Sequence, residues 1–231
     1  MNKIGVPVKN LRFQSYDGAS NMSEKFNGLA AKFKEVEPRA LYFHCHAHLL
    51  VLAVARTCEE TKSLRNALGS VNNLYNIIQA SAKRHDVFQK GISEVCPDSD
   101  IKTLRSLSQT RWIMRYVSVK AVLSLLPAII QTLVIISNDG NNTKISAGAS
   151  GLLTNILDEE FLLSLIIIEL ILGTTTILSK HLQSAEITIS LVLPKINATI
   201  ATLQGYRTAE YFCKIFEKMK TLAKKNKRFR V

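Results

Sequence analysis

Asp17 closes the short extended run Leu11-Arg12-Phe13-Gln14-Ser15-Tyr16 and is followed at once by Gly18. A carboxylate at the C-terminal end of a strand is well placed to hold a divalent cation. The sheet fixes its backbone and the turn leaves its oxygens accessible. About one strand-helix unit downstream, His44-Cys45-His46-Ala47-His48 gathers three imidazoles and a thiol. On a strand the three histidines share a face. If a helix has begun, His44 and His48 are i, i+4 neighbours, a zinc-compatible spacing with Cys45 as a soft ligand. A structural zinc wants four ligands and no second cluster follows nearby. Packing and shaping of the Asp17 turn therefore compete with metal binding and with direct contact to phosphate.

The elements that must position these groups are short. Gly18 breaks the first strand, and Ser20, Asn21 and Ser23 are each suited to cap a helix. Phe26, Leu29, Ala30 and Phe33 fall at i, i+3, i+4, i+7, which predicts a helix over about Met22 to Val36, ended by Pro38. Ala40 to Cys45 reads as a second strand, and a further helix begins near Ala47. From about Thr61 the period is helical throughout. Leu64, Leu68, Val71, Leu74, Tyr75 and Ile78 form one stripe, and Trp112, Tyr116, Val119 and Leu123 lead another helix with Pro127 as kink or boundary. Cys96 to Asp100 and Asn138 to Asn142 read as loops, and apolar helices are expected on both sides of Pro194.

Three ordered motifs, Tyr16-Asp17-Gly18 continuing to Gly28-Leu29, His44-Cys45-His46-Ala47-His48-Leu49-Leu50, and Gln109-Thr110-Arg111-Trp112, together resemble the hAT superfamily of DNA transposases and the proteins derived from them. That resemblance implies a mostly α fold. By the same resemblance, residues 1–60 are expected to form a partial RNase H-like α/β piece of the catalytic core, and residues 61–231 an all-helical, insertion-type domain. It also implies descent from a two-metal DDE-type enzyme using Mg or Mn. Asp17 is then the second of three acids. The first belongs upstream of residue 1, and the third, a glutamate, beyond residue 231. Glu159 and Glu169 lie in helical text and are not promoted. Because the chain opens almost directly on a strand, a truncated gene, a decayed copy or a partial gene model is expected, and no bound cofactor. Cys45 and His48 match the family's short C-x-x-H signature. Arg111 and Trp112 match its Thr-Arg-Trp motif, where an exposed indole can stack on DNA. The competing use of this tryptophan is as an anchor between helices, with Arg111 snorkelling.

Composition bounds the rest. With 231 residues, 47% hydrophobic and 21% charged, the chain is globular and long enough for a real core. A net charge of +12 points to a polyanionic partner, DNA first. The basic run Lys224, Lys225, Lys227 and Arg228 suits contact with DNA or nuclear import, or is a solvated helix end. Cys45, Cys58, Cys96 and Cys213 are spaced as neither a disulfide framework nor a paired zinc site, so reduced thiols in a nuclear or cytosolic setting are expected. Phe161 to Leu178 is nearly long enough to span a bilayer. The central Glu169 opposes insertion by a few kcal/mol, so a buried core helix is the expectation and a membrane span the minor one. The functional expectation is a nuclear, nucleic-acid-associated protein derived from a transposase and catalytically incomplete in this chain. The alternative is a helical protein-protein interaction module without DNA binding, engaging a partner or a second copy.

Overall fold

The first elements are two strands, β1 (Phe13–Tyr16) and β2 (Leu41–His44), paired in parallel with Tyr16 opposite His44. A computed structural model of the chain describes residues 7–23, 25, 27–107, 112–184 and 188–228. Between the strands run α1 (Ser20–Ser23) and α2 (Leu29–Val36). A parallel pair needs such a crossover, because a tight turn cannot return the chain to the same end. The single helix expected over Met22 to Val36 is therefore two. Gly28, buried and extended, is the N-cap of α2 and separates them, and Phe26 lies outside the described residues.

One sheet face is covered by α2. Gln14, only 5% exposed, donates from Nε2 to the carbonyls of Ala30 and Ala40, each at 3.1 Å. The other face carries Phe13 and Phe43, whose rings lie 5.8 Å apart and remain largely exposed. At the amino end of β2, buried Glu37 accepts from Arg39 Nε and Nη2 at 2.8 Å each and from the Arg39 backbone N–H at 3.1 Å. Arg12 stands 3.9 Å away. These donors hold the Glu37 carboxyl down at about 2, against an ordinary value of about 4.3. Its contribution is full above the unfolded carboxyl pKa and is lost as pH falls from about 4 through about 2. Acidification is thus expected to raise hydrogen exchange in β1 and β2 over that window. Glu37→Gln should flatten the response, and an unchanged acid profile in this variant would contradict the assignment.

The remainder is helical: α3 (His46–Glu60), α4 (Lys62–Gln79), α5 (Ala82–Val95), α6 (Trp112–Ser124), α7 (Leu126–Ser137), α8 (Thr143–Ile156), α9 (Glu159–Leu182), α10 (Ile189–Gly205) and α11 (Ala209–Lys227). The expected stripe on α4 is buried at Leu64, Leu68, Val71, Leu74 and Ile78. Pro127 opens α7, and the chain bends by 74° between α6 and α7. Pro194 lies inside α10 and does not divide two helices. It sits in the second turn, where it withdraws a donor only from the Ser190 carbonyl; Ser190 and Pro194 are both exposed, so water replaces the missing partner.

α9 is the hub. It is long and apolar enough to cross a membrane by length and composition, and α3, α4, α6, α8, α10 and α11 all pack on it. Asp158 caps it, accepting from the N–H groups of Glu160 at 3.0 Å and Phe161 at 3.3 Å, while Lys180 and His181 occupy its last turn. A Cβ at Gly173 would stand 3.2 Å from the Tyr116 ring, so the glycine admits α6 at close range. Glu169, the apparent obstacle in the apolar run, is half-buried and meets Lys218 of α11 at 3.3 Å.

Candidate functional site

The parallel register brings the carboxyl ends of β1 and β2 together. The Cys45 N–H donates to the Tyr16 carbonyl at 2.9 Å, so Asp17 and Cys45 leave the sheet side by side. This is the edge at which open α/β sheets bind ligands. Asp17 is exposed on the turn. Cys45 is the N-cap residue of α3, half-buried and without a side-chain cap bond.

The histidines divide between two elements. His44 ends β2 and His46 opens α3, so the three do not share a strand face. His44 and His48 do meet, with ring centroids 5.6 Å apart and planes 18° from parallel, while His46 is exposed. The His44 ring also lies over the Asp17 turn: a Cβ on Gly18 would fall 2.8 Å from His44 Cε1 and 3.1 Å from Nε2. His44 Nε2 is buried there without a hydrogen-bond partner. Gly18 is thus needed for close approach, a role beyond breaking the strand. Gly18→Ala is expected to cost about 1–3 kcal/mol by overpacking and to shift the His44 and His48 ring resonances. Adding His44→Ala should recover most of that stability in a denaturant titration. No recovery in the double variant would show that the histidine ring is not what the methyl meets.

Among the described residues, other acids do not converge on Asp17. Glu37 is engaged with Arg39 at the amino end of β2, the opposite end of the sheet, a strand length of about 10 Å away. Among the described residues no group of three or more His, Cys, Asp or Glu could hold a metal ion. Cys58, buried on α3, has its thiol pushed up by burial and belongs to the core.

The remaining sequence candidates lie elsewhere. Arg111 falls outside the described residues; Trp112 opens α6, and its side chain falls outside them too. Lys224 and Lys225 are exposed on the last turns of α11, Lys227 is its final residue, and Arg228, also exposed, is the C-cap. On α11, Ile215, Met219, Ala223 and Asn226 are buried at i, i+4, i+8, i+11, which leaves Lys214, Lys218, Lys220, Lys224 and Lys225 on the solvent arc. Lys214 pairs with Glu210 at 2.6 Å, and Lys220 with Glu217 at 3.2 Å. The structure therefore joins Asp17, Cys45, His44 and His48 in one place and the basic residues of α11 in another. Sequence reasoning passed over His44 as the group nearest the Asp17 turn. The only available signal was its position two residues before a helix start.

Comparison with known proteins gives the same direction. A family model described as the ZMYM1/FAM200 RNase-like domain, DUF4371, matches residues 1–28, a segment that contains Asp17 and Gly18. The chain is 24% identical over 216 residues to the 52 kDa repressor of the inhibitor of the protein kinase from Homo sapiens, and 24% identical over 217 residues to the Mus musculus protein of that name. Each match covers 88% of this chain, which spans 28% of the length of either relative. No solved structure matches. The chain thus bears out the resemblance its motifs carry, to transposase-derived proteins related to ZMYM1/FAM200 and to the 52 kDa repressor.

Proposed function

We propose that this chain is the nucleic-acid-associated part of a nuclear, hAT transposase-derived protein, with an incomplete set of catalytic acids. The observation that carries the reading is α11. Its nineteen residues hold Lys214, Lys218, Lys220, Lys224, Lys225 and Lys227 against only Glu210 and Glu217. Both glutamates lie in the first half, so the positive charge accumulates toward Arg228. Such a surface suits the phosphate backbone, where affinity comes from releasing condensed counterions and is independent of sequence. The test is fluorescence anisotropy on a labelled duplex. If Lys224, Lys225 and Arg228 each meet a phosphate, affinity should fall about fortyfold between 50 and 200 mM salt. Binding that ignores salt, or no binding at 50 mM, would sink the proposal.

The catalytic half of the reading has its own test. Two divalent ions about 4 Å apart repel strongly and need several carboxylates to hold them. Asp17 supplies one, and Glu37 is committed to Arg39. Supercoiled plasmid incubated with the purified chain in Mg²⁺ or Mn²⁺ is therefore expected to remain intact. Metal-dependent nicking that disappears in Asp17→Ala would show that acidic partners exist within the chain.

A second reading, a helical interaction module without DNA binding, is favoured by the apolar surface of α10. Leu191 and Leu193 are each 55% exposed there and Ile200 49%. In that case a protein partner or a second copy covers α10, and duplex binding is absent. Neither reading invokes a membrane; what supports this is the packing of six helices on α9.

A further inference from the structure

Phe212, Phe216, Lys220 and Lys224 recur at i, i+4, i+8, i+12 on α11. With 3.6 residues per turn, this row winds slowly round the helix and starts beside the buried arc of Ile215, Met219 and Ala223. Phe216 is half-buried against the core, while Phe212 is 49% exposed. Their rings stack, with centroids 6.1 Å apart and planes 17° from parallel, and the Lys220 ammonium lies 4.7 Å from the Phe216 centroid. A single exposed apolar side chain is ordinary. What sets Phe212 apart is its place at the half-open end of a column of ring, ring and cation. The neighbouring pair, Tyr206 and Tyr211, is tied to α9 instead, through the Tyr206 hydroxyl and Thr174 Oγ1 at 3.0 Å. Cations stand at both ends of the column. Arg207 is exposed in the turn before α11, and Lys220 and Lys224 are exposed after the rings. The two acids of the helix are already engaged, Glu210 with Lys214 and Glu217 with Lys220 at 3.2 Å. Glu217 and Lys220 form an exposed pair, too weak to hold the ammonium against a phosphate.

A partner that suits this row offers a flat π-face and repeated negative charge along one line. Each nucleotide of an unpaired strand carries both, a base and a phosphate. A duplex offers only the phosphates, because neighbouring pairs cover the faces of its bases. Phe212 to Lys224 spans about 18 Å along the helix, the reach of about five stacked nucleotides. We propose that this row of α11 is a binding edge for single-stranded nucleic acid, with an unpaired base stacked on Phe212 and the phosphates beyond it running past Lys220 and Lys224. Stacking on an aromatic ring accepts any base, so the edge reads strandedness and not sequence. It rests on the nucleic-acid reading of α11 and turns that reading toward unpaired strands and ends.

The experiment compares a labelled oligothymidylate about eight nucleotides long, which cannot pair with itself, with a duplex of the same length, by fluorescence anisotropy on the full chain. Phe212→Ala is expected to weaken the single strand about tenfold and the duplex by less than about twofold. Its salt slope for the single strand should stay unchanged, because stacking releases no counterions. Lys220→Gln should do the opposite and flatten that slope by about 0.7. In an NMR titration the Phe212 ring protons are expected to move upfield as a base settles over them. Phe212→Leu keeps an apolar side chain and loses only the ring, so it carries the test should Phe212→Ala disturb the fold. Equal losses for single strand and duplex, or no loss for either, would overturn the proposal. So would a flattened slope in Phe212→Ala, which would trace the loss to displaced lysines. Duplex affinity with a single strand indifferent to Phe212 removes only the stacking edge and leaves the ring to a protein partner. Failure of both nucleic acids to bind removes the wider reading with it.

Discussion

Leu165→Ala lowers the unfolding free energy by about 2–5 kcal/mol in the expected outcome, which is the usual range for a large-to-small change in a closed core. Leu165 is fully buried on α9, the helix on which six others pack. Its neighbours Leu162 and Ile166 are also fully buried, so the surrounding side chains have little room to collapse into the space left. Set against a total stability of about 5–15 kcal/mol for an ordinary domain, that loss moves the chain close to its unfolding threshold at 25 °C. Urea denaturation followed by circular dichroism reads it directly. The control is Ile177→Ala on the same helix, where the side chain is 62% exposed and the change should stay within about 0.5 kcal/mol. Equal effects at both positions would mean that α9 is not the centre of the core.

The second large effect concerns charge. Lys224→Gln, Lys225→Gln and Arg228→Gln combined are expected to weaken duplex binding by about 10²-fold at 0.1 M salt and to flatten the salt slope by about 2.7. Folding should be nearly untouched, since all three side chains are exposed and none shares the buried arc of Ile215, Met219 and Ala223. A triple variant that keeps both its affinity and its slope would move the phosphate-binding surface away from α11. The comparison variant is Lys214→Gln, whose ammonium already pairs with Glu210 at 2.6 Å and should matter less.

Much of this architecture could be read from the residues, and the exceptions have physical causes. The α4 stripe and the bend at Pro127 were legible because each rests on local periodicity or a single backbone constraint. The break before α2 was not. Leu29, Ala30 and Phe33 keep helical spacing, but α1 stops at Ser23 and α2 starts only after the buried, extended N-cap Gly28. Pro194 misled for the opposite reason, since a proline early in an exposed helix displaces one carbonyl into water at modest cost. At the candidate site, the placement of Asp17 at a strand end was evident, and its proximity to Cys45 follows from parallel pairing. The seating of His44 over Gly18 was hidden, because it depends on a contact between elements that no spacing encodes. The buried amide of Asn226 was concealed inside a basic run whose composition suggests full exposure.

The position of α9 also sets an order of events during synthesis. α3 and α4 end at residues 60 and 79, yet the helix they pack on is complete only at Leu182. At ribosomal rates of about 5–20 residues per second, the wait between the end of α3 and the end of α9 is roughly 6–24 s. For that interval α3 and α4 lack the α9 part of their packing, and then α9 itself emerges as a long greasy segment. The early helices α3 and α4 must therefore be kept from associating with other nascent chains until their common support arrives. This chain is expected to depend on holding chaperones in proportion to how slowly residues 80–182 are translated.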